Sequence, residues 1–268
     1  MTALTLGLAR ARHEVRLYAR SGDTVFFTFA FPVLLLAVFS VAFSEQSFGS
    51  DADGLAVTAA TYYLPGMIAA GILLSGVQGL AVDIATERGD GTLKRLAGTP
   101  LPVSAYVIGK AGQVLVTSAA QVVVLLVVAR LAFGVTLPTD PERWGRLAAV
   151  YLLGITGSAL LGVALSRVPS SGRAATAVVV PITVVLQFVS GVYLPFTQLP
   201  DWLQVVASSF PLRWIAQGLR SAFLPEGFGV LERGGSWDLP LVLVVLAGFV
   251  VVGAVLARLT FRWSRPDA

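Results

Sequence analysis

The chain has 268 residues, 56% of them hydrophobic and only 13% charged, with a net charge of +4 and a mean hydropathy of +0.80. Soluble domains carry about 25% charged residues, and here the apolar residues come in long runs, so lipid rather than water is the expected solvent. Cysteine is absent, which excludes disulfides, thiol catalysis and thiolate metal sites.

The chain opens on Leu4 to Tyr18, where Leu4, Leu8, Ala11, Val15 and Tyr18 fall on one helical stripe. Arg12, His13, Arg16 and Arg20 lie on the other faces, a pattern suited to a helix at the headgroup boundary within residues 1–22. A hydrocarbon core of roughly 30 Å needs about 20 apolar residues in a helix. Six stretches meet this: Val25–Phe43, Ala59–Ile84, Ala105–Phe133, Leu147–Leu165, Ala174–Leu194 and Leu239–Leu259. The first could be mistaken for a cleaved leader, since small residues Ser40 and Ala42 follow the apolar run, but its long basic approach favours a retained span.

Between the second and third spans, residues 87–100 combine turn and helix signals. Asp90 or Thr92 can cap a short helix, Leu93, Leu96 and Ala97 give it an apolar edge, Lys94 and Arg95 flank that edge, and Gly98 with Pro100 ends it. Residues 195–238 are too apolar for a linker. Helix starts at Pro200-Asp201-Trp202 and at Pro211 predict a re-entrant pair, with Leu212, Ile215, Leu219 and Phe223 on one face and Arg213, Gln217 and Arg220 on the other. Backbone that turns at membrane depth must be buried in protein or line water.

Basic residues set the orientation. Arg10, Arg12, Arg16, Arg20, Arg88, Lys94, Arg95, Lys110, Arg167, Arg173, Arg258, Arg262 and Arg265 fall on one side, with both termini; that side is expected to be cytoplasmic. The other side carries Glu45, Asp51, Asp53, Asp140, Glu142, Asp201, Glu226, Glu232 and Asp238 against fewer arginines. A pI near 9.8 admits nucleic acid as a partner, but this one-sided placement points to anionic lipid and no nucleic acid.

Within the spans, Gln113, Thr117 and Gln121 share a stripe with Lys110, and Thr183, Gln187 and Ser190 share one with Thr176. Such groups face protein or water rather than lipid; interhelical hydrogen bonding and the lining of a translocation path both fit. Lys110 could pair with Asp83 or snorkel to water. Gly154, Ser158 and Gly162, and likewise Gly71, Ser75 and Gly79, predict close helix packing.

These elements in this order resemble the permeases of type-2 ATP-binding-cassette exporters. The resemblance rests on Glu87-Arg88 with Gly91-Thr92-Leu93-Lys94-Arg95-Leu96, on Thr99-Pro100-Leu101-Pro102, and on Tyr106-Val107-Ile108-Gly109-Lys110. Ser190-Gly191-Val192-Tyr193-Leu194-Pro195, Leu199-Pro200-Asp201-Trp202-Leu203 and Pro211-Leu212-Arg213 through Leu219-Arg220 complete it, so that one all-α membrane domain over residues 1–268 is implied. The resemblance implies a coupling helix at Glu87, Arg88, Thr92, Leu93, Lys94, Arg95 and Leu96, and an external gate region at Trp202, Pro211, Arg213 and Arg220. It further implies a second copy of the chain and two cytoplasmic ATPase subunits that bind ATP and magnesium. This chain is expected to bind no cofactor or metal, having no Gly-x-x-x-x-Gly-Lys-Ser/Thr loop of its own.

A bacterial plasma-membrane exporter of an amphipathic or hydrophobic molecule is the resulting expectation, with drug or antibiotic efflux favoured by the short external loops. Export of a lipid-linked glycan, or a non-transporting assembly or immunity role, stays open. An intramembrane enzyme does not fit: His13 is the only histidine, and no two carboxylates share a span centre.

Overall fold

The computed structural model describes residues 2–46, 48, 57–261 and 263. Asp51, Asp53, Arg262 and Arg265, used above for orientation, lie outside them. Among the described residues every regular element is helical: α1 Ala3–Arg20, α2 Gly22–Ala42, α3 Ala59–Leu73, α4 Leu80–Gly89, α5 Thr92–Ala97, α6 Val103–Phe133, α7 Pro141–Leu165, α8 Gly172–Val189, α9 Asp201–Ser208, α10 Pro211–Phe223 and α11 Leu239–Thr260. A π turn, Leu74–Gly79, joins α3 to α4. Among the described residues six helices are long and apolar enough to cross a membrane, with α3, the π turn and α4 forming one of them.

The span boundaries differ from the apolar runs for local reasons. Pro141 takes the first helical position of α7, where its missing N–H costs nothing, so α7 begins six residues before the apolar run. Arg146 there pairs with Glu142 at 2.8 Å. The fifth span stops at Val189 rather than Leu194, because the chain turns through Gly191 at a φ of 75°, a conformation that glycine adopts without a Cβ clash. The third span, α6, is 31 residues, about 46 Å at 1.5 Å per residue, and so outreaches the hydrocarbon.

Helix α3 is the centre of the bundle, buried at every position except Thr61. Its small residues let neighbours approach closely. A Cβ at Gly66 would meet the Val192 carbonyl oxygen at 2.6 Å, and Gly71 lies against the amide of Gln121. The expected small-residue seam of the fourth span is present, and its partner is Gly76: Gly76 packs on Ser158, and a Cβ at Gly162 would collide with the Gly76 carbonyl oxygen. The π turn is the cause. Its wider i→i+5 closure shifts the facing of every later residue, so Ser75 and Gly79 turn to a cavity while Gly76 turns to α7. Gly162→Val should destabilise the protein by about 1–3 kcal/mol, because the obstacle is backbone. Gly248→Ala, at a position where a Cβ meets nothing within 4 Å, should leave the melting point in detergent unchanged or higher.

Helix α1 packs across the start of α6. Gly7 meets Ile108, Arg10 meets Gly109, and a Cβ at Gly112 would lie 2.8 Å from the Ala11 Cβ. The leucine stripe faces outward, Leu4 and Leu8 each being 60% exposed, while Glu14 is buried. The helix thus has three kinds of face: leucines for lipid, arginines for water and headgroups, and a small-residue strip for α6. Helices α9 and α10 form where the two prolines place their starts. Helix α10 is enclosed by protein on its polar and apolar faces alike. All its residues except Trp214 are buried, against α3, α7 and α11.

Candidate functional site

A cavity of about 890 Å³ is enclosed by α1, α2, the π turn, α4, α6 and α8. One wall carries Gln113, Thr117 and Gln121 from α6; the opposite wall carries Thr176 and Gln187 from α8. Thr183 lies beneath that wall, its hydroxyl donating to the Gln78 Oε1 at 2.5 Å. Ser75 donates to the Gln121 Oε1 at 3.4 Å, and the Tyr193 hydroxyl donates to the Gln187 Oε1 at 2.7 Å. The two polar stripes therefore bridge helices, and part of each borders one cavity. Ser190 is separate, buried at the end of α8 and absent from the cavity wall. Aliphatic side chains and aromatic rings share the rest of the lining, the rings including Phe27 and Phe31 of α2 and Phe188 of α8. Phe27, Phe31 and Phe188 are also exposed on the outside of the bundle, so the mouth of the cavity opens sideways between α2 and α8.

One end of the cavity is closed by an ionic cluster that sequence reading only half found. Lys110 does not snorkel; it is 1% exposed. Its Nζ donates to Glu14 Oε2 at 2.9 Å, Asp83 Oδ2 at 2.5 Å and Glu87 Oε1 at 2.7 Å. All three ammonium protons are used. The Tyr106 hydroxyl donates to Glu87 Oε2 at 2.6 Å, and Arg10 pairs with Glu14 and lies 3.9 Å from Glu87. Three carboxylates this close would suit a metal ion by spacing, but the ammonium of Lys110 stands among them as their cation. The cluster ties α1, α4 and α6 into one unit. Glu14 was missed because it stands among arginines on a surface helix, and its partner is 96 residues away.

The segment expected to form the coupling helix continues from this cluster. Arg88 hydrogen-bonds the Ser166 carbonyl oxygen after α7, fixing α4 to the next loop. Gly91, at a φ of 78°, turns the chain into α5, and Asp90 Oδ1 accepts from the Thr92 N–H at 2.9 Å. Hydrogen bonds from the Thr92 hydroxyl and backbone N–H hold the Asp90 carboxyl below its usual pKa. The apolar edge of α5 is divided. Leu93 is fully buried in the protein's own core and Leu96 half-buried, while Lys94, Arg95 and Ala97 face outward. A six-residue helix is too short to stand alone, and Leu93 is its anchor.

The residues expected at an external gate are split as well. Trp202 on α9 is 67% exposed, whereas Arg213 and Arg220 of α10 are 4% and 3% exposed. Arg220 donates to Glu232 Oε1 at 2.8 Å and to the Gly191 carbonyl oxygen; Arg213 bonds Gln217 and lies 3.8 Å from Glu232. The Arg213 guanidinium stacks over Phe196 and Trp214 at 4.6 and 4.4 Å. Burial pushes its pKa below the ordinary value, against the pull of Glu232. Pro211 starts α10 at the edge of this network. A polar face that reads as water-facing is thus a buried clasp joining α10, the turn after α8 and the loop before α11.

Two comparisons bear on what such an assembly is. The family model described as ABC-2 type transporter matches residues 8–224. The transport permease ycf38 of Porphyra purpurea is 24% identical over 196 residues, which cover 69% of this chain and 67% of that protein. The family match runs from α1 through α5 and the cavity helices to the end of α10, and on that match the chain belongs to the ABC-2 type transporter family, as a multi-pass membrane permease.

Proposed function

We propose that the chain is the membrane half of an ATP-driven exporter, working as two copies with two cytoplasmic ATPase subunits that hold ATP and magnesium. The observation that carries this reading is the continuity of one helix with two duties. The span Ala59–Gly89 borders the cavity through Ser75, Gln78 and Asp83, and at Gly91 it passes directly into α5, whose Lys94 and Arg95 point away from the body. A push on α5 is therefore delivered to a cavity wall.

In this reading the end bearing α1 and α5 is cytoplasmic, as its arginines require. The second copy covers the sideways mouth between α2 and α8, where Phe27, Phe31, Val184 and Phe188 are exposed. The cavity then becomes a shared chamber, roomy enough for an amphipathic molecule by the usual pocket range of roughly 300–1,000 Å³. Drug or antibiotic efflux fits this chamber better than glycan export, because its walls are mostly apolar.

The test is co-purification with the ATPase encoded beside it, read by native mass, and then coupling. The wild type is expected to give two permeases with two ATPases. Lys94→Glu with Arg95→Glu should lower ATPase stimulation at least about tenfold while leaving the melting temperature unchanged, since both side chains are exposed. A lone chain that captures no ATPase, or full stimulation in the charge-reversed variant, would sink the coupling assignment.

A further inference from the structure

The charges around the cavity are unequal. Among the described residues its lining holds three charged side chains, Glu14, Asp83 and Glu87, and no lysine or arginine. Lys110 and Arg10 neutralise part of this from behind. Lys110 is sealed at 1% exposure and Arg10 reaches Glu14 from outside the lining. Three carboxylates against two cations leave one negative charge in excess.

That excess faces the cavity. The Asp83 side chain is 46% exposed and gives only Oδ2 to Lys110, so Oδ1 remains an open acceptor. A second acceptor is independent of the acidic cluster. Gln113 lines the cavity at 8% exposure; its Nε2 is given to Thr117, and its Oε1 accepts nothing among the described residues. Beyond these acceptors stand aromatic faces, Phe39 stacked on Tyr193 at 5.4 Å and Phe188 beside Tyr193 at 5.0 Å, which attract cations through the ring quadrupole. Every term has one sign. An anion would meet carboxylates and ring faces with no basic side chain to pair with, in surroundings too apolar to screen the repulsion.

We infer that the cargo is an amphipathic organic cation: its charged group lies at Asp83 and Gln113, at the end of the cavity nearest α1, and its apolar body lies among the phenylalanines toward the other end. The inference rests on reading this cavity as the cargo site. It narrows that reading by charge, and so separates a cation from the neutral or anionic molecules that the same volume would admit.

The test uses two probes of nearly equal shape and opposite charge, tetraphenylphosphonium and tetraphenylborate. Binding to the full chain, purified with its ATPase in nonionic detergent, is measured by equilibrium dialysis. Val184→Trp, at a 42% exposed position on the cavity wall, blocks the cavity, and only the binding that it abolishes is counted. That binding is expected to favour the phosphonium at least about tenfold. Asp83→Asn should erase most of the preference. Thr176→Lys, which adds a cation at an exposed wall position and leaves the acidic cluster intact, should reverse it. If the blocked variant loses both ions equally, or the borate more, the cation inference is overturned and the cavity reading stands. If blocking changes the binding of neither ion, the cavity is not the cargo site, and both fall.

Discussion

Lys110→Met is expected to cost about 3–5 kcal/mol, the range for removing one partner of a buried ion pair, and to shift the melting point of the detergent-purified protein down by several degrees. The methionine fills the space but supplies no charge, so Glu14, Asp83 and Glu87 face one another across a site that held an ammonium within 2.9 Å of each. The sign of the pH response identifies the cause. Without the lysine the carboxylates repel and take up protons more readily, so the variant should regain stability on acidification, where the wild type loses the ion pairs and gains nothing. Adding Glu14→Gln to the variant should recover part of the loss at neutral pH. A melting point that stays put, or a deficit that does not depend on pH, would show that the cluster does not hold α1 to α6.

The second large effect is expected at the other end of the bundle. Glu232→Ala leaves Arg220 and Arg213 buried at 3% and 4% exposure with no anion between them, again a cost of about 3–5 kcal/mol. Glu226→Ala is the control. Its carboxylate pairs with Arg146 at 2.8 Å but is 64% exposed, and exposed pairs contribute about 0–1 kcal/mol. Thermal unfolding of the two variants side by side should separate them by more than 5 °C. Similar curves would mean that α10 is held by its apolar face alone.

Much of this architecture is legible from residue order, and the illegible parts share a cause. Six apolar runs of the right length announce the spans, because hydrocarbon demands length and little else. Pro200 and Pro211 announce α9 and α10, because proline tolerates few other places in a helix. What a single sequence does not disclose is the partner of a polar residue. Glu14 sits in a basic surface helix, and its sole peculiarity is a negative sign among arginines. Arg213, Gln217 and Arg220 follow the spacing of a wet face, and only Glu232, brought over α10 by a turn, makes that face dry. The π turn carries no signal beyond the glycines at 76 and 79, yet it decides which of them meets α7. The polar stripes of α6 and α8 were visible as stripes. That they border one cavity depends on how the helices are arranged in space, which periodicity does not encode.

The contact between Glu14 and Lys110 spans 96 residues, and this separation fixes an order of events during synthesis. At a translation rate of about 5–20 residues per second, Lys110 emerges roughly 5–20 s after Glu14. Through that interval α1 has no α6 to dock on. It waits at the membrane surface, held there by its arginines and outward leucines, with its carboxylate in water. The face that later seals the cluster is thus the last face of α1 to find its place, although α1 leaves the ribosome before α6.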